Sequence, residues 1–166
     1  MIIVVTGLPG VGKTTFSKEL GSMLNAKVLS SDKIRKELFS NPTYSKNEKS
    51  LVYDVMLLIA KYLHQTGKTC ILDATFNREN FRKNLKEKLG TKKNQLFFIE
   101  CKCHEPIVLR RLRNRKNDYS DADFRIYKKM KRQYEPIKTS HITIDTGVLS
   151  AKKAAQITIK EIFNKK

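Results

Sequence analysis

Residues 1–15 constrain this chain more than any other stretch. Ile2 to Val5 form an apolar, β-branched run that reads as a buried strand. The run feeds directly into Gly7-Leu8-Pro9-Gly10-Val11-Gly12-Lys13-Thr14, the Gly-x-x-x-x-Gly-Lys-Thr spacing of a phosphate-cradling P-loop. Gly7, Gly10 and Gly12 let the backbone turn tightly and aim its N–H groups at phosphate oxygens. Lys13 reaches β- and γ-phosphates as a point charge, and the Thr14 hydroxyl suits Mg²⁺. Val11 and Thr15 join the predicted nucleotide-binding residues of this loop. A helical pattern from Lys13 adds its positive N-terminal end. An ordinary Gly-rich turn requires neither the strand, the Lys nor the Thr.

At 166 residues the chain reads as one domain, residues 1–166, large enough for a substantial core. No apolar run approaches the ~20 residues of a membrane span. The apolar start has no basic region before it, so it does not read as a signal peptide, and a cytoplasmic location is the expectation. Against 16 Asp+Glu stand 34 Lys+Arg, a net charge of +18, which favours polyanionic partners and makes nucleic acid the expected one. Cys101 and Cys103 alternate on a predicted strand. They lack the C-x₂₋₄-C spacing of a zinc site and read, with Cys70, as strand thiols in a reducing compartment.

Taken in order, residues 2–6 are the first strand, and Phe16, Leu20, Met23 and Leu24 form a helical stripe across 13–24. A short strand covers 26–29. Ser31 and Asp32 offer a cap for a helix over 33–39. The polar stretch from Asn41 to Ser50 reads as a mobile loop. Leu51, Val55, Ile59 and Leu63 recur every fourth residue, with Val52 and Met56 beside them, in an amphipathic helix. Strands are expected at 69–72, 95–103 and 142–144. Helices are expected at 78–89, from Pro106 to about Arg115, at 121–134, and at 150–164. Strands alternating with helices predict a three-layer α/β fold with a mainly parallel five-stranded sheet, a helical lid around 110–125, and ligands at the strand C-terminal ends.

Further features narrow the chemistry. Asp32 and Arg35 share a helix face after the second strand. A carboxylate there can take a proton from an acceptor hydroxyl, and a guanidinium can bind an acceptor anion. Asp73 ends an apolar strand, a position suited to a Mg²⁺ water or to the acceptor. Ala74 follows it, where a hydrolytic machine often carries a Glu. Arg111 and Arg115 share a face in an arginine-rich helix end, suited to neutralising charge on a transferring phosphoryl group.

These residues resemble the polynucleotide 5′-hydroxyl kinases, through Gly7–Thr14, Ser31-Asp32-Lys33-Ile34-Arg35, Asp73-Ala74-Thr75 and Arg111-x-x-x-Arg115. The resemblance implies a P-loop kinase sheet using ATP and Mg²⁺. It casts Asp32 as general base, Arg35 and Asp73 as acceptor contacts, and Arg115, beside Arg111, as the lid arginine on the donor phosphates. Phe76 stands where members often carry Asn. The kinase domain of seryl-tRNA kinases is similar in the same motifs and in Tyr134-Glu135-Pro136.

The leading expectation is therefore γ-phosphoryl transfer from ATP to a 5′-hydroxyl of RNA or DNA, with Lys13, Asp32 and Arg115 catalytic. Arg78, Arg82, Lys83, Lys86 and Lys88 are expected to form a groove for the strand. The alternative is a kinase for a small-molecule alcohol or seryl-tRNA. A nucleotide-dependent switch without transfer ranks third.

Overall fold

The computed structural model describes residues 1–92, 95–114 and 122–164. Five parallel strands form one sheet in the order β2-β3-β1-β4-β5. They are β1 Ile2–Thr6, β2 Lys27–Ser30, β3 Cys70–Asp73, β4 Leu96–Lys102 and β5 Ile142–Asp145. Between them run α1 Lys13–Met23, α2 Ser31–Leu38, α3 Lys46–Gln65, α4 Glu79–Leu89, α5 Glu105–Arg113 and α6 Phe124–Gln133; α7 Ala151–Asn164 follows β5. None of the described helices is long and apolar enough to cross a membrane.

β1 lies at the centre, and its period-two alternation splits the core. Ile3 and Val5 pack with Phe16 and Leu20 of α1, Val108 of α5, Tyr127 of α6, and Ala155 and Ile162 of α7. Ile2 and Val4 pack on the other face with Val52 and Met56 of α3 and Leu85 and Leu89 of α4. All these side chains are buried, each contributing about 1.5–3 kcal/mol for an Ile, Val or Leu. Because every strand is parallel, their C-terminal ends share one edge. The loop after β1, Ser30, Asp73 and Thr146 all lie there.

The expected strands and helices are present, with boundaries shifted by a few residues. Two local readings are corrected. Ser30, not Ser31 or Asp32, caps α2 by accepting from Lys33 N–H at 3.5 Å, which leaves Asp32 in the first turn. Residues 46–50 are not loop: Ser45 caps α3 by accepting from Glu48 N–H at 3.2 Å, so the helix starts five residues before Leu51.

Arg82 also departs from expectation. It is 1% exposed and cannot line a groove. Its Nε donates to Glu79 Oε2 at 2.9 Å, Nη1 to the Phe76 carbonyl at 2.5 Å, and Nη2 to the carbonyls of Glu135 and Pro136 at 2.6 and 3.0 Å. It ties the turn after β3 to the segment after α6. Phe76 sits in that turn with φ 41, a left-handed conformation that a side chain rarely adopts.

Candidate active site

A cavity of about 1170 Å³ opens along the C-terminal edge of the sheet, lined at its centre by Gly10, Gly12, Lys13, Thr14 and Thr15. The loop takes its shape from backbone that only glycine accepts freely. Gly7 has φ 141, and a Cβ there would meet the Cys101 carbonyl oxygen at 2.4 Å. Gly12 has φ 90, with Arg111 Nη1 3.2 Å from where its Cβ would be. Lys13 Nζ donates to the Leu8 carbonyl at 2.9 Å, folded back over the loop it is expected to serve.

Thr14 Oγ1 donates to Asp73 Oδ2 at 2.7 Å. The parallel register of β1 and β3, with Val5 opposite Asp73, brings the two together. A hydroxyl and a carboxylate are hard oxygen donors of the kind Mg²⁺ takes when substrate phosphates and water complete its octahedron. Asp73 thus stands beside Thr14 of the P-loop; the resemblance puts it with the acceptor. Among the described residues no group of three His, Cys, Asp or Glu converges. Burial pushes the Cys101 thiol up to about 12 and the Cys70 thiol up to about 11, so both stay protonated.

At one end of the cavity, Val11 works through its backbone. Its carbonyl accepts from Thr146 Oγ1 and, at 3.4 Å, from Arg111 Nη1. Arg111 also donates to Thr146 Oγ1 at 3.0 Å and to the Thr146 carbonyl at 2.7 Å. With Leu149, Ala151 and Ala154 these groups line this end of the cavity. Arg115 and the middle of the predicted lid, residues 115–121, lie outside the described residues. Ile126, Lys129 and Gln133 of α6 line the cavity from the lid side.

The other end holds Asp32, Arg35, Thr43, Tyr44, Lys49 and Tyr53. Asp32 is half-buried on the first turn of α2. Burial pushes the Tyr53 phenol up to about 12, and the negative charge of Asp32 acts in the same direction. Arg35 is in the cavity wall but does not present the free guanidinium that the sequence suggested. It is 6% exposed, pairs with Glu48 Oε1 at 3.2 Å, and lies 4.8 Å from the centre of the Tyr44 ring.

Glu48 went unnoticed in the sequence and organises this end. Its Oε2 accepts from Thr43 N–H at 2.6 Å, Thr43 Oγ1 at 2.8 Å and Tyr44 N–H at 3.1 Å. Burial pushes this carboxyl up, but those hydrogen bonds and the Arg35 charge outweigh it and hold the group below the usual range. The signal was present: Ser45-x-x-Glu48 has the spacing of a capping box, which announces a helix start.

Lys49 was also missed. Its Nζ donates to Asn77 Oδ1 at 3.3 Å and lies over the Tyr53 ring. Burial lowers its pKa, and the charges of Arg35 and Arg78 lower it further. Glu48 partners Arg35 and Glu135 partners Arg78, at 2.8 Å. This end of the cavity therefore holds a cation that is hydrogen-bonded to a neutral amide and feels two further cations, an environment that favours an incoming anion.

A family model described as an AAA domain matches residues 2–137. The chain belongs to the AAA domain family. A protein of Pyrococcus abyssi with the name "Probable adenylyl-sulfate kinase" is 24% identical to this AAA-domain chain over 167 residues, covering 96% of this chain and 92% of that one. The structure of Mycobacterium tuberculosis APS kinase in complex with AMPPNP and APS superposes with a TM-score of 0.74, at 19% identity, over 98% of this chain and 96% of that one. A gluconokinase from Sinorhizobium meliloti 1021 gives 0.64, at 14% identity, over 98% and 95%. At these identities the structures show the fold, an α/β P-loop kinase fold.

Proposed function

We propose that this AAA-domain chain is an ATP-dependent kinase that phosphorylates a hydroxyl on a small anionic acceptor. One observation carries the reading. Asp32, Arg35 and Lys49 line the same cavity as Lys13, Thr14 and Asp73, so one cleft holds a base and cations beside a phosphate cradle. The acceptor hydroxyl gives its proton to Asp32 as its oxygen bonds to the γ-phosphorus. The bond from that phosphorus to the β–γ bridging oxygen breaks, and ADP leaves. Thr14 and Asp73 would hold Mg²⁺, which neutralises charge on the β- and γ-phosphates. Arg115 is proposed to act on the same charge from the lid.

The relatives' names favour a small acceptor over the 5′ end of a nucleic acid: one names adenylyl-sulfate, one a complex with APS, one gluconate through gluconokinase. The cavity accommodates a nucleotide and a compact second substrate. The net charge of +18 keeps a nucleic acid end as the second reading, but the expected groove is weakened, with Arg82 buried and Arg78 paired to Glu135.

The test incubates the chain with ATP, Mg²⁺ and a panel of alcohols bearing phosphate, sulfate or carboxylate, beside a 5′-hydroxyl oligonucleotide. Mass spectrometry reads the products. A phosphorylated small anion supports the proposal. Transfer to the oligonucleotide alone, with a KM that climbs steeply with salt, selects the second reading. ATP binding without transfer to any acceptor removes both.

Lys49 gives a sharper expectation. Lys49→Met raises the acceptor KM by roughly 10–100-fold, the range for losing a charge-assisted hydrogen bond, and leaves the ATP KM unchanged. The acceptor KM of the unaltered chain rises with pH as Lys49 loses its proton. Because the lysine pKa is lowered, this happens below the ordinary lysine range. The Met variant lacks that pH dependence in steady-state assays.

A further inference from the structure

α3 has two apolar faces, and the described residues cover only one. Val52, Tyr53, Met56, Leu57 and Ala60 are buried against the sheet and its neighbours. On the opposite side Leu51, Leu58 and Tyr62 are 48%, 54% and 63% exposed, Val55 is half-buried between them, and Ile59 borders them. At about 100° per residue, positions 51, 55, 58 and 62 fall within roughly 60° of one another, facing away from the core. Four of the ten exposed large apolar side chains among the described residues belong to this one helix, so the stripe is a concentration and not scatter. A helix that is apolar on both sides belongs between two packing partners.

The stripe steps by 4, 3 and 4 residues, the spacing of a coiled-coil seam. The charges flanking it specify the partner. Asp54 and Lys61 are both exposed and sit on the same side of the seam, one heptad apart. If a second copy of α3 packs antiparallel, Leu51 faces the partner's Tyr62 and Val55 faces the partner's Leu58. Asp54 then lies beside the partner's Lys61, and two-fold symmetry repeats the pair. Parallel packing gives no such match. From Ser50 to Ala60 the chain has no Lys or Arg, so the seam's centre brings no cations together in a molecule of net charge +18.

We propose that the chain forms a two-fold dimer through antiparallel α3 helices, with Leu51, Val55, Leu58 and Tyr62 as the seam and Asp54–Lys61 pairs on its flanks. The seam is only about 16 Å long at 1.5 Å per residue. Such a contact is smaller than a standard stable interface, so the dimer is in the micromolar range rather than permanent.

Sedimentation equilibrium of the full chain from 1 to several hundred micromolar, as order-of-magnitude bounds spanning that affinity range, reads the dissociation constant. Leu58→Asp, which changes only an exposed side chain, leaves a folded monomer by circular dichroism. Asp54→Lys and Lys61→Asp each weaken the dimer by roughly three- to tenfold, and the double swap, which keeps the net charge, restores it. A pure net-charge effect would instead make Lys61→Asp tighten it. A wild-type monomer at every concentration overturns the proposal. So does a dimer indifferent to Leu58→Asp, or a double swap that fails to restore association.

Discussion

Asp32→Asn lowers kcat by roughly 10²–10⁴-fold while the dissociation constant for ATP stays within about twofold, the range for removing a general base that touches only the acceptor. The side chain is half-buried on the first turn of α2, at the end of the cavity proposed to take the acceptor. The substitution keeps the size of the group and leaves the Ser30 cap of the helix intact. Single-turnover transfer and nucleotide titration on the same preparation separate the two quantities. A variant that keeps transfer shows that the proton leaves by another route. A variant that loses ATP binding shows that Asp32 shapes the donor site instead.

Arg82→Met destabilises the fold by about 3–5 kcal/mol, the cost of breaking a buried ion pair from one side. At a few degrees per kcal/mol for a domain of this size, the melting temperature falls by roughly 10 °C or more. The substitution strands the Glu79 carboxylate and the carbonyls of Phe76, Glu135 and Pro136, which Arg82 now satisfies. Replacing Glu79 by Gln together with Arg82→Met removes the orphaned charge and recovers part of the loss. Calorimetry of the single and double variants checks both statements. An Arg82→Met chain that melts with the wild type would mean that water replaces every one of these bonds.

The sheet was legible because β1 is a pure apolar run and the glycine spacing after it allows few backbones. Strand alternation with helices then required parallel pairing, which put Asp73 on the loop's edge. Single-residue roles were harder to read. Arg82 looked like one more cation on a basic helix, because burial depends on contacts 53 and 54 residues away. Arg35 looked free because its partner, Glu48, lay in a stretch read as loop for its polarity. Counting every fourth residue picked out Leu51, Val55, Ile59 and Leu63 with Val52 and Met56 beside them, without deciding which of these face the core; the buried ones are Val52 and Met56, with Ala60. A helix with two apolar faces satisfies several such counts, and only the packing chooses between them.

The Val11 carbonyl links two parts of the proposed donor site. It receives Thr146 from beyond β5 and Arg111 from α5, so the P-loop and the wall proposed to face the base share one backbone anchor. A change that adapts this wall to a different nucleobase would also pull on the turn that grips the phosphates. Donor preference and turnover should therefore be inherited together in engineered variants, with gains in one rarely free of losses in the other.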